Sequence, residues 1–313
     1  MENEESPKRV DVSSVLAEAS DVSFCPVDNF PLTGRLWTSP LRTGHRYVGL
    51  INAGAGISSR YYDRFAAFLA VNGIPTLVYD YRGIGRSRPH SLRGFNASVE
   101  DWGSKDCAAA LSWLRDRFPQ AKIIVIGHSI GGFVTGFVPN GALIDKMLFV
   151  GAHTGYWRDY SPATRPLMLL LWHVFMPAIT LLFGYFPGKR LRLLEDLPSG
   201  VAFEWAGRLR PEFWWRLKQA DGTPDAIRTR DLLARFAAIN ASVLAVRFTD
   251  DPFATERAIK RLSELFVNTS VVSLVLGPKD AGGQSIGHFG FFDSRFQSTL
   301  WPLVVEALKC HID

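Results

Sequence analysis

From Tyr47 onward the chain alternates short apolar runs with stretches in which apolar residues recur every three or four positions. Continuous runs of four to eight suit strands buried on both faces, and the wider spacing suits helices with one buried face. YVGLIN at 47–52 predicts a strand, and 58–73 predicts a helix with Tyr61, Phe65, Phe68 and Leu69 at helical spacing. TLVYD at 76–80 predicts the next strand. DWGSKDCAAALSWLRDRFP predicts a helix ended by Pro119, followed by strands IIVIG at 123–127 and MLFVG at 147–151. This alternation is that of an α/β fold, a mostly parallel central sheet flanked by helices. The segment before Tyr47 suits one or two antiparallel edge strands.

After Gly151 the rhythm breaks. Residues 154–235 carry many Leu, Trp, Phe and Arg but no run that reads as a strand, which predicts a helical cap inserted after the strand that follows the GHSIGG helix. The alternation resumes with strand SVLAVRF at 242–248, a helix at 255–266, strand SVVSLVL at 270–276 and a last helix within 294–310. The expected organisation is a flexible N-terminus over 1–20, a core from 21–153 and 236–313, and the cap over 154–235. Within the cap, Leu167 to Phe186 is almost wholly apolar and, at about 1.5 Å per helical residue, long enough for a hydrocarbon core of about 30 Å. His173 and Pro177 interrupt it, and a single crossing would split the sheet between two sides of a membrane. The expectation is two cap helices bent at Pro177. A cap that lies on a membrane surface is the alternative.

Composition narrows the function. Apolar residues make up 47% of the 313 and charged ones 21%, which is the balance of a chain that buries a core. The net charge of +5 is spread along the chain without a basic run or a nucleic-acid motif, so no nucleic-acid partner is expected. Cys25, Cys107 and Cys310 are far apart and odd in number, which suggests neither a disulfide framework nor a metal site. The first residues lack the apolar stretch of a secretory signal, and the expected location is the cytoplasm.

The chemistry gathers at GHSIGG. Gly127, Ser129 and Gly131 form G-x-S-x-G between a β-branched run and a helix start, the setting in which a serine is presented on a tight strand-to-helix turn. Glycines two before and two after are needed there because side chains would collide as strand and helix pack. A serine hydroxyl is a weak nucleophile until a base takes its proton and a carboxylate fixes that base, in the chain order Ser, acid, His. SVLAVRF runs into Thr249-Asp250-Asp251-Pro252, and SVVSLVL is followed by Ser285-Ile286-Gly287-His288-Phe289. Ser129, Asp251 and His288 are the expected catalytic residues, with Asp251 preferred over Asp250 for its place before Pro252. His153, at the end of MLFVG, is expected at the pocket rim on the substrate side. Trp157, Trp172, Phe175, Trp205 and Trp214 are expected to line an apolar pocket. An oxyanion hole needs two backbone N–H groups; one is expected from Ile130, the other from the turn Asn52-Ala53-Gly54-Ala55-Gly56.

Between about Arg46 and Leu308 the chain resembles the serine hydrolases of the α/β-hydrolase superfamily, with GHSIGG, DYRGIGRS, DD-P and GH-F in order. It looks most like bacterial hydrolases related to serine aminopeptidase and monoglyceride-lipase-like enzymes, through YDYRGIGRSRP, LFGYFPGKR and IGHFGFF. The resemblance to the HGxG pattern implies Gly54 as the second oxyanion donor, with Asn52 and Ala53 departing from the usual His and Gly. The expected activity is hydrolysis of a small-molecule carboxylic ester with an apolar acyl or aryl part, through an acyl-enzyme and without metal or organic cofactor. Thioester or amide hydrolysis, acyl transfer and a non-catalytic binding role are the alternatives.

Overall fold

The computed structural model describes residues 17–40, 44–212, 217–219 and 221–310. The strands are β1 (Glu18–Phe24), β2 (Leu32–Thr38), β3 (Tyr47–Asn52), β4 (Thr76–Tyr79), β5 (Lys122–His128), β6 (Ile144–Val150), β7 (Tyr185–Phe186), β8 (Leu197–Pro198), β9 (Ser242–Phe248) and β10 (Val271–Leu276). Eight of them form one sheet in the order β1-β2-β4-β3-β5-β6-β9-β10. β1 pairs antiparallel with β2, and β2 antiparallel with β4. All other pairings in this sheet are parallel.

The helices are α1 (Asp63–Val71), α2 (Val99–Asp101), α3 (Ala108–Arg117), α4 (Ile130–Thr135), α5 (Arg165–Leu170), α6 (Met176–Phe183), α7 (Ser199–Ala206), α8 (Ala226–Ala238), α9 (Glu256–Ser263) and α10 (Leu300–Cys310). Helix α2 begins with a capping box, in which the Ser98 hydroxyl accepts from the Asp101 N–H and the Asp101 carboxylate accepts from the Ser98 N–H. It continues through a π stretch at Trp102–Cys107 into α3.

The sheet register sets where the chemistry can gather. Asn52 at the end of β3 sits level with Gly127 of β5, Gly127 with Phe149 of β6, and Val150 with Val246 of β9. The loops leaving β3, β5, β6 and β9 therefore emerge side by side at one edge, the carboxyl ends of parallel strands. Beneath them the strands are buried along nearly their whole length, with Leu50, Val125, Ile126 and Leu148 essentially inaccessible.

The structure departs from the sequence reading at several points. Strand β1 starts at Glu18, inside the stretch expected to be flexible, and the rest of that expectation, over 1–16, lies outside the described residues. The segment between β6 and β9 holds a two-residue strand pair, β7 with β8. Helix α8 straddles the expected boundary at 235, and its Phe236 packs on Phe133 and Phe137 of the core at 5.7 and 5.3 Å between ring centres. Residues Arg165–Phe183 are helical throughout, with a π stretch at Leu171–Phe175, instead of two helices bent at Pro177. Proline lacks an N–H and crowds the carbonyl four residues back, here His173, which lies within that wider turn.

Candidate active site

Ser129 occupies the corner between β5 and α4 with φ 55° and ψ −124°, backbone that a side-chain-bearing residue adopts only under constraint. The constraint is close packing. A Cβ on Gly131 would stand 2.1 Å from the Asn52 carbonyl oxygen, and one on Gly127 2.6 Å from the Gly132 backbone. The serine N–H donates to the Val150 carbonyl, and its own carbonyl accepts from His153 N–H, so β6 holds the corner from the side.

The three residues expected to act together do meet. His288 Nε2 lies 2.9 Å from Ser129 Oγ, and His288 Nδ1 lies 2.8 Å from Asp251 Oδ2. The other Asp251 oxygen accepts the N–H groups of Phe253 and Ala254 at 2.7 and 3.0 Å. Burial by itself would raise the Asp251 carboxyl; the facing His288 and the two backbone N–H groups outweigh it, and the group ends below its ordinary value. Asp250, its neighbour, has a separate task. Its Oδ2 accepts the Ser285 hydroxyl and the N–H groups of Ile286 and Gly287, which clamps the loop that carries His288.

The Gly54 assignment does not fit. Its N–H donates to the buried Tyr62 hydroxyl at 2.8 Å, and the residues of this turn that border the cavity are Ala55 and Gly56. The Tyr62 hydroxyl also lies 2.8 Å from His128 Nδ1, while His128 Nε2 lies 3.0 Å from the His288 carbonyl oxygen. A carbonyl only accepts, so the His128 proton sits on Nε2, and Nδ1 receives the tyrosine proton. Burial, reinforced by His288, pushes His128 down to about 3, so it stays neutral. One hydrogen-bonded chain thus ties the turn after β3 to the corner and to the His288 loop. Spacing along the chain gave no sign of it, because it turns on which of two adjacent tyrosines points inward. Asn52 is structural: its amide donates to Thr135 Oγ1 and Cys107 Sγ and accepts from the Tyr79 hydroxyl.

Ser129 and His288 open into a cavity of about 550 Å³. Its walls are mainly apolar and come largely from the segment between β6 and β9, including Met168, Leu171, Trp172, Met176, Leu197 and Trp205. Trp172 and Trp205 meet edge to face at 5.9 Å. His153 also borders the cavity, as expected. Phe175 and Trp157 do not: Phe175 packs half-buried on the core, and Trp157 lies edge-on to His173 with Arg158 over its face. Trp214 lies outside the described residues. Among the described residues no cluster of His, Cys, Asp or Glu has the geometry to hold a metal ion.

A model of the family described as serine aminopeptidase, S33 matches residues 44–204, just over half of the chain. The chain belongs to this serine aminopeptidase family of α/β-hydrolases. The matched span carries the Ser129 corner and the turn after β3, while Asp251 and His288 lie beyond it. The fold is similar over its whole length to solved α/β-hydrolases. An esterase from Pyrococcus furiosus, Pf2001, superposes with a TM-score of 0.59 at 17% identity, covering 100% of this chain and 97% of its own. The esterase RhEst1 from a Rhodococcus species gives 0.53 at 18% identity, covering 94% and 99%. A hypothetical protein, PA2218, from Pseudomonas aeruginosa gives 0.58 at 13%, covering 99% and 98%. No curated protein matches the chain in sequence. At such identities the structural likenesses speak to the fold, which this member of the serine aminopeptidase family shares from end to end.

Proposed function

We propose that the protein is a serine hydrolase that cleaves a carboxylic ester with an apolar acyl or aryl part. The observation that carries this reading is the unbroken hydrogen-bonded line from Asp251 through His288 to Ser129 Oγ, opening into a mainly apolar cavity. In it, His288 takes the Ser129 proton as Oγ attacks the ester carbonyl carbon, and Asp251 steadies the imidazolium. The developing oxyanion is received by the N–H of Ile130 at the start of α4 and, in place of Gly54, by that of Ala55. His288 then protonates the departing alkoxide. A water activated by the same His288 attacks the acyl-enzyme, and Ser129 Oγ leaves with the proton returned.

Ester chemistry is preferred over the peptide chemistry of the family's name because the cavity wall offers apolar side chains and few charges for a peptide backbone or terminus. Release of nitrophenol from p-nitrophenyl esters of two to twelve carbons, set against an amino-acid p-nitroanilide, tests this. The expected result is turnover of the esters, abolished in Ser129→Ala. Turnover of the anilide alone, or turnover that survives Ser129→Ala, would overturn it.

A second reading places the enzyme on a lipid surface, and one observation favours it. Helix Arg165–Phe183 is long and apolar enough to cross a membrane, and only 17% of its apolar window is buried. Leu167, Leu170, Val174, Leu181 and Leu182 face outward at 57–75% exposure, while Met168 and Met176 face the cavity. Exposed Lys189, Arg190 and Arg192 follow just after the helix. Co-sedimentation with vesicles containing phosphatidylglycerol tests this reading, which fails if the protein stays in the supernatant at low salt.

A further inference from the structure

The mechanism above uses one histidine, yet two converge on the nucleophile. His153, three residues past the end of β6, is 3% exposed, and its Nε2 lies 3.4 Å from Ser129 Oγ. Its protonation state follows from its other nitrogen. The Gly155 backbone N–H donates to His153 Nδ1 at 2.9 Å, and since an N–H only donates, Nδ1 must hold a lone pair. Burial, with His288 nearby, keeps the ring well below its ordinary value and hence neutral. The single proton is therefore on Nε2, facing Ser129 Oγ.

His288 stands in the opposite sense. Its Nδ1–H faces the Asp251 carboxylate, so the lone pair is on Nε2 and faces the same hydroxyl from another side. The two rings lie 5.3 Å apart. Local structure holds His153 in this state: Gly155 adopts φ 81°, which turns its N–H back onto the ring, and Tyr160 packs edge-on at 5.6 Å. The 3.4 Å separation is longer than the usual 2.7–3.2 Å for an N–H to oxygen bond, which makes the contact weak at rest. It strengthens once the oxygen carries charge, because charge-assisted bonds are shorter and stronger.

We propose that His153 is a second catalytic histidine, a fixed N–H donor to Ser129 Oγ that never gives up its proton. As His288 Nε2 takes the Oγ proton, negative charge builds on Oγ before its bond to the carbonyl carbon is complete, then passes through that bond to the carbonyl oxygen; the His153 N–H stabilises the partial charge on Oγ at the point of attack. When the acyl-enzyme breaks, the C–Oγ bond cleaves, Oγ regains a proton from His288, and the same donor again meets the charged oxygen. The proposal rests on Ser129 being the nucleophile.

The test is the second-order rate at which an alkyl fluorophosphonate modifies Ser129, a reaction that reads attack by Oγ without a natural substrate. It is run on wild type, His153→Phe, His153→Leu and His153→Gln, each shown folded by its thermal transition. Phe and Leu remove the donor in two shapes; Gln restores an N–H near the Nε2 position. Phe and Leu are expected to slow labelling by about 10- to 100-fold, toward the range for losing one transition-state hydrogen-bond donor, and Gln to recover most of the rate. The midpoint of the pH–rate curve is expected to stay in place, since His153 does not titrate in the reaction. Labelling of Phe or Leu at the wild-type rate, a Gln variant as slow as both, or a displaced midpoint would each overturn the proposal. A folded wild type that takes no label at all would remove the nucleophile itself, and so would be distinguishable from failure of the His153 role alone.

Discussion

Two apolar stretches of this chain end in opposite surroundings. KIIVIGH of β5 is buried at every position after Lys122, whereas the helix Arg165–Phe183, no less apolar, turns Leu167, Leu170, Val174, Leu181 and Leu182 outward. The difference lies in what surrounds each one. Strand β5 has β3 and β6 on its two edges and runs into a corner where backbone atoms leave no room for a Cβ at Gly127 or Gly131. The helix lines the cavity with Met168 and Met176, while among the described residues those five apolar side chains stay exposed on its other face. Hydropathy thus marks both stretches alike, and only the neighbours say which is fixed by packing and which is free to meet a substrate or a lipid.

The comparison predicts large effects at the corner and small ones on the helix face. Largest is the loss of activity in Asp251→Asn, expected at about three to four orders of magnitude in kcat, since the histidine then loses its fixed tautomer. Asp250→Ala should cost less activity and show mainly as reduced stability, because it leaves the Ile286 and Gly287 N–H groups without their acceptor. If the Asp250 variant lost the greater activity, the acid would be reassigned.

Next comes Gly131→Ala, whose Cβ would meet the Asn52 carbonyl oxygen at 2.1 Å and the Ala53 carbonyl oxygen at 2.8 Å, both backbone atoms. A destabilisation of about 3 kcal/mol or more is expected in denaturant unfolding. A variant as stable as the wild type would show that the corner is less constrained than its geometry implies.

Acid should weaken the corner more gently. His128 is buried neutral at about 3 in the folded chain, against about 6.5 when unfolded. Between those values the unfolded chain binds a proton that the folded one does not, so stability falls as pH falls below about 6.5 and is unaffected by this group above it. The slope is about 1.4 kcal/mol per pH unit for each such histidine, and His153 acts in the same direction. Denaturant midpoints measured from pH 7.5 down to 5 check this; a flat profile would contradict the buried, neutral pair.

The smallest effect is expected on the helix face. Leu167→Gln and Leu181→Gln should each change stability by no more than about 0.5 kcal/mol and leave hydrolysis of a soluble short-chain ester unchanged. Any role in lipid contact would appear instead as weaker vesicle co-sedimentation.

Much of this contrast could be read from the sequence, though unevenly. Strands β3 and β9 coincide with the apolar runs that predict them, because a parallel strand buried on both faces is a continuous run with clear ends. The corner was equally legible, since only a strand-to-helix turn needs glycines on both sides of a serine. Gly54 was misplaced because resemblance aligns residue types, while the direction of an N–H depends on Tyr62, which reaches it from α1's approach. The β7–β8 pair has two residues per strand, too few for any periodicity to register. The His153 donor needed the Gly155 turn, which spacing does not reveal.

The most direct test of the central claim is intact mass after treatment with a fluorophosphonate probe, on wild type and on Ser129→Ala. The account predicts one adduct on the wild type, located at Ser129, and none on the variant. An unmodified, folded wild type, or an adduct that persists in Ser129→Ala, would contradict it.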